Sequence, residues 1–379
     1  MSIPLTECED VAWYRELAAA RGGAAALARR VGLDEQRSGQ VALAVSEAAS
    51  NLAKHAVDGA ILLRLVRTAG LAGVEFLALD AGPGMADVPG SMLDGTSGTG
   101  TLGIGLGTVA RLADVFDLHS LPGRGTVMLA RFWPRDSSGR VVGGPAEPVV
   151  AGLTRPINGE QVCGDAWAVR LDPDSGSPVG GATATGPDAD TRPLAAGIRR
   201  GSAAAVGGTA GRGAALLVML CDGLGHGPMA AIAAQAAVRA LHEGSGRLPA
   251  DVVGEVHRAL RGTRGAAVAV ARIEPDQGRM LFCGVGNISG VLLGDGTRTS
   301  LVSYPGIVGH QLRGLRTFEQ PLPPGSALVL HSDGLSERWS ADALPGLLQH
   351  SPALVAGQLL REAGIRHDDA SAVVARGAW

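Results

Sequence analysis

Residues 214–227 have the sequence AALLVMLCDGLGHG, in which an apolar run ends on an aspartate and a glycine-rich bend. The eight apolar residues from Ala214 to Cys221 have the length of a buried strand, and a helical stretch from Met229 to Leu241 follows the bend. The same arrangement recurs further along the chain, where the apolar run Ala327 to Leu330 leads to Asp333. The pattern predicts a sheet that presents aspartates at the ends of its strands.

Four aspartates stand where a predicted strand begins, ends or turns. They are Asp165 in Cys163-Gly164-Asp165, Asp222 in the stretch above, Asp333 in His331-Ser332-Asp333-Gly334, and Asp368 in Arg366-His367-Asp368-Asp369 before the strand Ala370 to Ala375. Carboxylates gathered at one end of a sheet repel one another, so several together predict a divalent cation. A set of capped turns is the alternative, because a single Asp-Gly is more often only a turn. The shared strand context of all four favours the metal.

A second pattern lies in the first part of the chain, where Gln40 to Ala56 is predicted to be a helix. Its apolar face carries Val41, Val45, Ala48 and Leu52. A polar stripe repeats with the same spacing and consists of Glu47, Asn51, Lys54 and His55. Such a stripe can converge on one bound group, although most polar stripes on amphipathic helices only meet water.

Two glycine-rich elements follow this helix. The buried strand predicted over Val74 to Leu79 runs into Asp80-Ala81-Gly82-Pro83-Gly84, an acidic turn whose glycines allow close backbone approach. The loop from Gly95 to Gly107 then opens into the helical stretch Thr108 to Ala113. Backbone amides and a helix N-terminus are presented to phosphate in this way. The order of helix, acidic turn and glycine loop predicts a nucleotide site.

These elements resemble the GHKL ATPase fold of histidine kinases, gyrase and anti-sigma-factor kinases, over residues 10–134. The matching motifs are Glu47-x-x-x-Asn51, Asp80-x-Gly82-Pro83-Gly84 and Gly103-x-Gly105-x-Gly107. Within that family the chain is most similar to the serine kinases of bacterial partner-switching modules.

The GHKL resemblance implies an ATP site with Mg²⁺. It implies that Asn51 ligates the Mg²⁺, that Glu47 is the general base, and that Asp80 accepts the adenine amino group. The residues implied to line the nucleotide are Gly82, Gly84, Gly103, Gly105 and Gly107. Lys54 and His55 fit a phosphate contact and a surface role equally well.

The aspartate-bearing strands look like the SpoIIE-type branch of the metal-dependent protein phosphatases, over residues 158–376. The stretches that carry the resemblance are Cys163-Gly164-Asp165, Asp222-Gly223-Leu224-Gly225 and Gly284-Val285-Gly286-Asn287-Ile288, and they are similar to the stressosome-directed members in particular. The resemblance implies two Mn²⁺ or Mg²⁺ ions, with a ligand set of Asp165, Asp222, the carbonyl of Gly223, Asp333 and Asp368. A water shared by two such ions attacks phosphorus without a protein nucleophile.

Some positions around this motif set are ambiguous. Many members of the branch carry another aspartate three residues after the first, and this chain has Ala168 there, so an auxiliary ligand is missing. His226 is a candidate for protonating the leaving serine oxygen or for a hydrogen bond beside the metals. Asp369 is a candidate for orienting the ligands. Asn287 and Glu337 are explained as well by turn or cap roles.

The resemblances imply an α+β protein of two domains. The first is a GHKL α/β sandwich with helices on one mixed sheet, and the second is an αββα sandwich of two antiparallel sheets. Composition shifts divide the chain at a Gly/Pro/Ser-rich linker, placed at 135–157. The resemblances imply that 1–134 is an ATP-binding domain and that 158–379 is a phosphatase domain. The stretch at about 173–213, rich in Gly, Ala, Thr and Pro, is expected to be a mobile loop.

Bulk properties restrict the partners and the compartment. A net charge of −3 without a basic block gives little reason to expect nucleic acid. No run approaches the roughly 18 apolar residues of a membrane span, and the N-terminus lacks a signal-peptide pattern, so we expect a cytoplasmic protein. The cysteines are far apart, without zinc-type spacing, and fit a reducing compartment: Cys8, Cys163, Cys221 and Cys283.

Together the resemblances imply a partner-switching regulator. It would remove phosphate from serine or threonine of a STAS-type antagonist or stressosome protein, while its ATP domain phosphorylates the same or a related partner. Two alternatives stay open. In one, the ATP domain is a sensor that has lost phosphotransfer; in the other, it sequesters a sigma factor or a STAS protein and catalysis is secondary or lost. Kinases of this kind often form homodimers, but one sequence does not identify the dimer surface.

Overall fold

The computed structural model describes residues 7–68, 71–92, 105–141, 148–158, 160–172, 214–294, 296–312, 314–365, 367–377 and 379. The predicted mobile loop at about 173–213 and the predicted nucleotide residue Gly103 lie outside these residues. Among the described helices, none combines the length and the apolar character that crossing a bilayer requires.

The first part of the chain folds into helices on a five-stranded sheet. In chain order its elements are β1 (Glu7–Tyr14), α1 (Leu17–Arg30), α2 (Glu35–His55), β2 (Ala60–Thr68), β3 (Leu71–Asp80), α3 (Val88–Ser91), α4 (Gly105–Leu112), β4 (Val115–Ser120) and β5 (Thr126–Phe132). The strand order is β1-β2-β3-β5-β4, which we call sheet 1. Every described pairing in it is antiparallel, so the predicted mixed sheet is an antiparallel one. Hairpins join β2 to β3 and β4 to β5, which makes these pairs antiparallel, whereas α1 and α2 lie between β1 and β2.

Helix α2 begins at Glu35, five residues before the predicted start at Gln40. Its N-cap is Asp34, whose Oδ1 accepts a hydrogen bond from the backbone N–H of Arg37 at 2.6 Å. A side-chain oxygen in this position satisfies one of the unpaired amides of the first turn. The buried face carries Val41, Val45 and Ala48 as predicted, and it packs with α1 and α4 on one face of sheet 1.

The second part is a sandwich of two sheets covered by helices, as predicted. In chain order its elements are β6 (Val150–Arg155), β7 (Asp165–Asp172), β8 (Ala215–Gly223), α5 (Pro228–Glu243), α6 (Pro249–Ala259), β9 (Ala266–Glu274), β10 (Arg279–Val285), β11 (Ser289–Gly294), β12 (Thr297–Leu301), β13 (Ser303–Tyr304), β14 (Phe318–Pro321), β15 (Ala327–His331), α7 (Pro352–Ala363) and β16 (Ala370–Arg376). Sheet 2 has the order β13-β10-β9-β8-β7, with β14 also paired to β10, and sheet 3 has the order β12-β11-β15-β16-β6. Apart from the two-residue parallel contact of β10 with β13, the described pairs are antiparallel.

Strand β6 corrects the predicted linker. Residues 150–155 were expected to belong to the linker 135–157, but they form the edge strand of sheet 3 and pair with β16 from Ala370 to Ala375. The run is short and stands in a Gly/Pro-rich context, so its local pattern is weak. Its partner lies more than two hundred residues away in the chain, and only that long-range pairing makes it a strand.

Three apolar cores fill the second half of the chain and its contact with sheet 1. Sheets 2 and 3 bury one core between them, and α5 and α6 cover the outer face of sheet 2 over another. The third core surrounds α7, which packs on sheet 3 and also against Leu77, Val127 and Leu129 of sheet 1. Helix α7 is therefore shared by two sheets, and nearly all of its side chains are buried.

A buried charge cluster lies on the α7-facing side of sheet 1. The carboxylate of Glu75 accepts hydrogen bonds from Arg64 at 2.6 Å and from Arg131, and Arg64 also donates to the carbonyl of Gly152 in β6 at 2.7 Å. Burial alone would raise the pKa of Glu75, but the two guanidiniums outweigh it and hold that pKa below its usual value. The cluster ties sheet 1 to sheet 3.

Polar contacts at the two edges of sheet 1 also join it to the second part of the chain. The indole N–H of Trp13 donates to the carbonyl of Thr154 at 2.8 Å. On the opposite side, Asp117 accepts from the backbone N–H of Ser351 at 2.8 Å and contacts the His350 ring at 2.7 Å. Contacts on both sides of α7 fix the two halves of the chain against each other.

Candidate metal centre and nucleotide site

The pairing of β7 with β8 brings two of the predicted metal ligands together. Asp165 is the first residue of β7, and in the register of the two strands it lies directly opposite Asp222 near the end of β8. Directly opposite residues of an antiparallel pair have side chains about 5 Å apart at Cβ. The antiparallel register therefore places these two carboxylates side by side at one edge of the sandwich.

Asp333 and Asp368 reach the same edge from sheet 3. Asp333 follows the end of β15 and Asp368 precedes the start of β16, and these two strands are antiparallel partners. The end of one strand and the beginning of the other consequently meet. Both carboxylates lie close enough to Asp222 to raise its pKa.

The electrostatics of this edge favour bound positive charge. Burial is the largest cause that raises the pKa of Asp222, followed by the negative charges of Asp165, Asp333 and Asp368. Burial likewise raises the pKa of Asp165, and the charges of Asp369 and Asp333 add to it. The pKa of Asp333 is raised by burial first and by Asp368 second. Four carboxylates of one sign need protons or cations to stay together.

The residues present fit a hard divalent cation. Oδ2 of Asp165 accepts a hydrogen bond from the Ser332 hydroxyl at 2.7 Å, whereas Oδ1 is buried and has no hydrogen-bond partner. A buried acceptor without a donor is costly unless a ligand satisfies it. Within the described ranges, no three His, Cys, Asp or Glu side chains already stand close enough to hold a metal ion unaided. Asp165 and Asp222 lie opposite each other on neighbouring strands. Asp333 and Asp368 lie near them, but the four carboxylates do not yet surround one point.

Gly223 is placed by close backbone packing. A Cβ on this residue would lie 2.3 Å from the carbonyl oxygen of Ala230 in α5, so only glycine allows the helix to approach the strand here. Its N–H donates to the carbonyl of Gly164 at 3.1 Å. This hydrogen bond fixes the backbone beside Asp165 and Asp222, and the carbonyl of Gly223 is the predicted ligand.

Two supporting residues are clearer in the structure than in the sequence. Asp369 is almost fully buried, and its two oxygens accept hydrogen bonds from the N–H groups of Ile157 and Gly164, both at 2.7 Å. Ser332 donates to Asp165 and accepts from the N–H of Ser371 at 2.9 Å. The sequence suggested an orienting role for Asp369 but gave none to Ser332, although it directly precedes Asp333. Its partner Asp165 is too distant in sequence to reveal the contact.

The ambiguous positions have defined surroundings. The side chain of Asn287 donates to Asp333 at 2.5 Å, and Glu337 accepts from the hydroxyl of Ser289 at 2.7 Å. His226 is exposed, and its Nδ1 lies 3.3 Å from Glu160. Ala168 is buried in the apolar core beneath α5 and α6. Asn287 therefore supports a predicted metal ligand, whereas position 168 faces away from the carboxylates.

The residues predicted to bind nucleotide begin at the end of β3 in sheet 1. Asp80 ends β3, its Oδ1 accepts from the Gly82 N–H at 2.7 Å, and burial raises its pKa. Gly84 has φ +65°, and a Cβ there would lie 2.0 Å from the carbonyl oxygen of Leu121. This acidic turn therefore requires glycine for both its conformation and its packing.

The polar stripe of α2 faces the start of α4. A Cβ on Gly105 would lie 3.0 Å from both terminal atoms of the Asn51 side chain, so the missing side chain leaves that amide room beside the helix. Glu47 lies one turn earlier on α2 and is half-buried, and Gly107 is buried within α4. Lys54 and His55 are exposed. The structure thus brings Glu47, Asn51 and the glycines of α4 to one region, with Gly103 outside the described residues.

Two protein-family models match the chain. Residues 12–132 match the histidine kinase-like ATPase domain, and residues 212–377 match the family of Stage II sporulation protein E, SpoIIE. Over 128 residues the chain is 37% identical to the serine/threonine-protein kinase RsbT of Bacillus subtilis, a match that covers 34% of this chain and 96% of RsbT.

Solved structures are similar over 60% to 80% of the chain. One is a chain from a study of the bacterial stressosome as a modular system adapted to control secondary messenger signaling, at 27% identity and a TM-score of 0.46, covering 60% of this chain and 98% of that chain. Another is the PP2C phosphatase domain, with a fragment of the regulatory domain, of the cell fate determinant SpoIIE from Bacillus subtilis, at 12% identity and a TM-score of 0.43, covering 80% of this chain and 78% of that chain.

Proposed function

Since this chain belongs to the family of the serine/threonine-protein kinase RsbT and also carries a SpoIIE-type phosphatase, we propose that it is a bacterial partner-switching regulator. Its main activity is the metal-dependent hydrolysis of phosphoserine or phosphothreonine. The substrate is a STAS-domain antagonist or a stressosome protein. The observation that carries the proposal is the cross-strand pair Asp165 and Asp222, with one buried carboxylate oxygen unsatisfied.

The residues proposed to hold Mn²⁺ or Mg²⁺ are Asp165, Asp222, Asp333, Asp368 and the carbonyl of Gly223. Two such ions supply an activated water at neutral pH, so no serine or cysteine nucleophile is needed. Burial raises the pKa of the Cys163 thiol well above neutrality, which keeps the nearest cysteine protonated and unreactive. The Ser332 hydroxyl orients Asp165, and the Asn287 amide holds Asp333.

Phosphate release from a serine-phosphorylated STAS-domain protein tests this proposal. The native chain should release phosphate with Mn²⁺ and not with EDTA, and Asp222→Asn should lower the rate by a factor of about a hundred or more, because it removes one ligand charge. Asp276→Asn is the matched control, since Asp276 is an exposed aspartate outside the site. Release that is independent of metal, or equal in both variants, would contradict the proposal.

A second activity is proposed for the N-terminal half, where Glu47 and Asn51 stand one helical turn apart. Transfer of the ATP γ-phosphate to the same or a related STAS-domain partner would use Asn51 for Mg²⁺ and Glu47 as base. Glu47→Gln should abolish transfer, and Glu35→Gln, an exposed glutamate at the start of the same helix, should not. Nucleotide binding without transfer by the native chain would instead make this half a sensor. The sigma factor and the homodimer stay predictions.

A further inference from the structure

Four large apolar side chains are exposed around the metal-binding edge. Val162 is 41% exposed, Leu224 38%, Met229 50% and Ile232 51%. Single exposed apolar residues are normal, but a contiguous group marks an interaction site. We call these four residues the apolar rim.

Side-chain contacts bring together the two segments that carry Val162 and Met229. Gly164 packs against Ala230, since a Cβ on the glycine would lie 2.7 Å from the alanine Cβ, and Gly227 lies beside the Glu160 carboxylate. The segment 160–164 therefore runs along the segment 227–230. Val162 lies in the middle of the first segment and Met229 in the second.

Helix α5 confines its exposed apolar residues to the metal-proximal half. Met229 and Ile232 are three residues apart and share one face of the helix. Further along the same side, the exposed residues are Gln235 and Arg239, which are polar. The inward face is alanine-rich and packs on sheet 2, so core packing does not explain the outward apolar pair.

A positive charge borders the rim. Gly225, next to Leu224, approaches the guanidinium of Arg264, because a Cβ on this glycine would lie 3.0 Å from Nη1. Arg264 is exposed, and no described carboxylate forms an ion pair with it. A cation at the border of the rim suits a ligand that brings its own negative charge, such as a phosphorylated protein.

We propose that the apolar rim, with Arg264, is the surface on which the folded phosphoprotein substrate docks. The proposal rests on the proposed phosphatase function. A protein that delivers a phosphoserine to Asp165 and Asp222 must cover the surface around them, and Leu224 follows Asp222 by only two residues. Removing these apolar side chains from water contributes to the binding of a protein, while a small phosphate ester does not cover them.

The test compares substrates of different size on Met229→Ser/Ile232→Ser in the full chain. The substrates are a serine-phosphorylated STAS-domain protein and p-nitrophenyl phosphate, both with Mn²⁺. We expect kcat/KM for the protein to fall by about tenfold or more through KM, because two apolar contacts are lost, and the rate on the small ester to stay unchanged. Leu248→Ser is the matched control, because Leu248 is 48% exposed but lies just before α6, away from the aspartates.

Other outcomes overturn the proposal. An equal fall on both substrates would show a structural role, and an unchanged KM for the protein would show that the rim is not used. Loss of a dimer in light scattering, with KM unchanged, would assign the rim to a second copy of the chain. If the native chain shows no metal-dependent rate on p-nitrophenyl phosphate, the proposed function fails first, and this result is separate from all of the others.

Discussion

At the scale of single residues, the proposed metal-binding edge depends on side chains outside the proposed ligand set. Asp369 accepts two backbone hydrogen bonds, from Ile157 and from Gly164, and the second of these precedes Asp165. The position of the first aspartate thus follows from a carboxylate on another sheet. An amide could not replace this carboxyl group without loss, because only one of the two terminal atoms of an amide is an acceptor.

Asp369→Asn should destabilise the fold and lower phosphatase activity together. The substituted amide presents an N–H to a backbone N–H that has lost its acceptor, which costs about 1–3 kcal/mol. Urea unfolding measures the loss, with Asp276→Asn as a surface control. A variant with native stability would show that these hydrogen bonds are not needed to place Gly164.

The stability of the metal-free protein should fall as pH rises. Burial and neighbouring carboxylates raise the pKa of Asp165 to about 7 and that of Asp222 to about 9, whereas an unfolded aspartate titrates near about 3.9. Between these values the folded state binds more protons than the unfolded state, so stability decreases with increasing pH.

Thermal unfolding in EDTA, from about pH 5 to about pH 8, measures this dependence. Saturating Mn²⁺ should raise Tm most at the high-pH end, since the ion replaces the protons. Asp222→Asn should flatten the slope in EDTA by removing one of the titrating groups. A Tm slope that is the same in the variant and in the native chain would assign the pH dependence to other residues.

At the scale of elements, the N-cap residue Asp34 determines where helix α2 begins. Asp34→Ala should cost about 0.5–2 kcal/mol, because it removes the side-chain acceptor of the Arg37 N–H. The free energy of unfolding in urea checks this, and Asp34→Asn, which keeps the cap, should lose much less. Equal losses in both variants would mean that the charge, rather than the cap, stabilises the helix.

What the sequence predicted at this scale follows from local patterns. The strands that lead to Asp80, Asp222 and Asp333 are largely apolar, and each was predicted close to its observed position. The start of α2 was missed although Asp34 is a favourable N-cap residue. Strand β6 and the contacts of Asp369 were beyond prediction, because their partners are distant in the chain and no local periodicity marks them.

At the scale of the whole molecule, α7 joins the two halves. Its Gly357 packs against sheet 1, where a Cβ would lie 3.0 Å from Leu77 and 3.2 Å from Val127. Neither this helix nor the covering of both of its sides was predicted from the sequence. The contact of α7 with sheet 1 is seen only in the structure. A helix with apolar residues on all sides is expected to be buried, but the pattern does not say which elements cover it.

Gly357→Val should destabilise the chain by about 1–3 kcal/mol, because the added methyl groups overpack the space between the helix and sheet 1. Gly254→Val in α6 is the matched control, since the nearest atom to its Cβ position lies 3.9 Å away. Chemical unfolding followed by Trp fluorescence measures both. A smaller loss at Gly357 than at Gly254 would contradict tight packing of α7 against sheet 1.

The shared helix also has a genetic consequence. Mutations that disturb residues 352–363 remove support from both sheets at once, because the side chains of α7 belong to the cores of both halves. A selection for alleles that lose phosphate hydrolysis while keeping nucleotide binding should therefore return changes at the aspartates and few in this segment. The two halves are inherited as a unit not only because one gene encodes them, but because the face of sheet 1 that packs on α7 would be left uncovered without the second half.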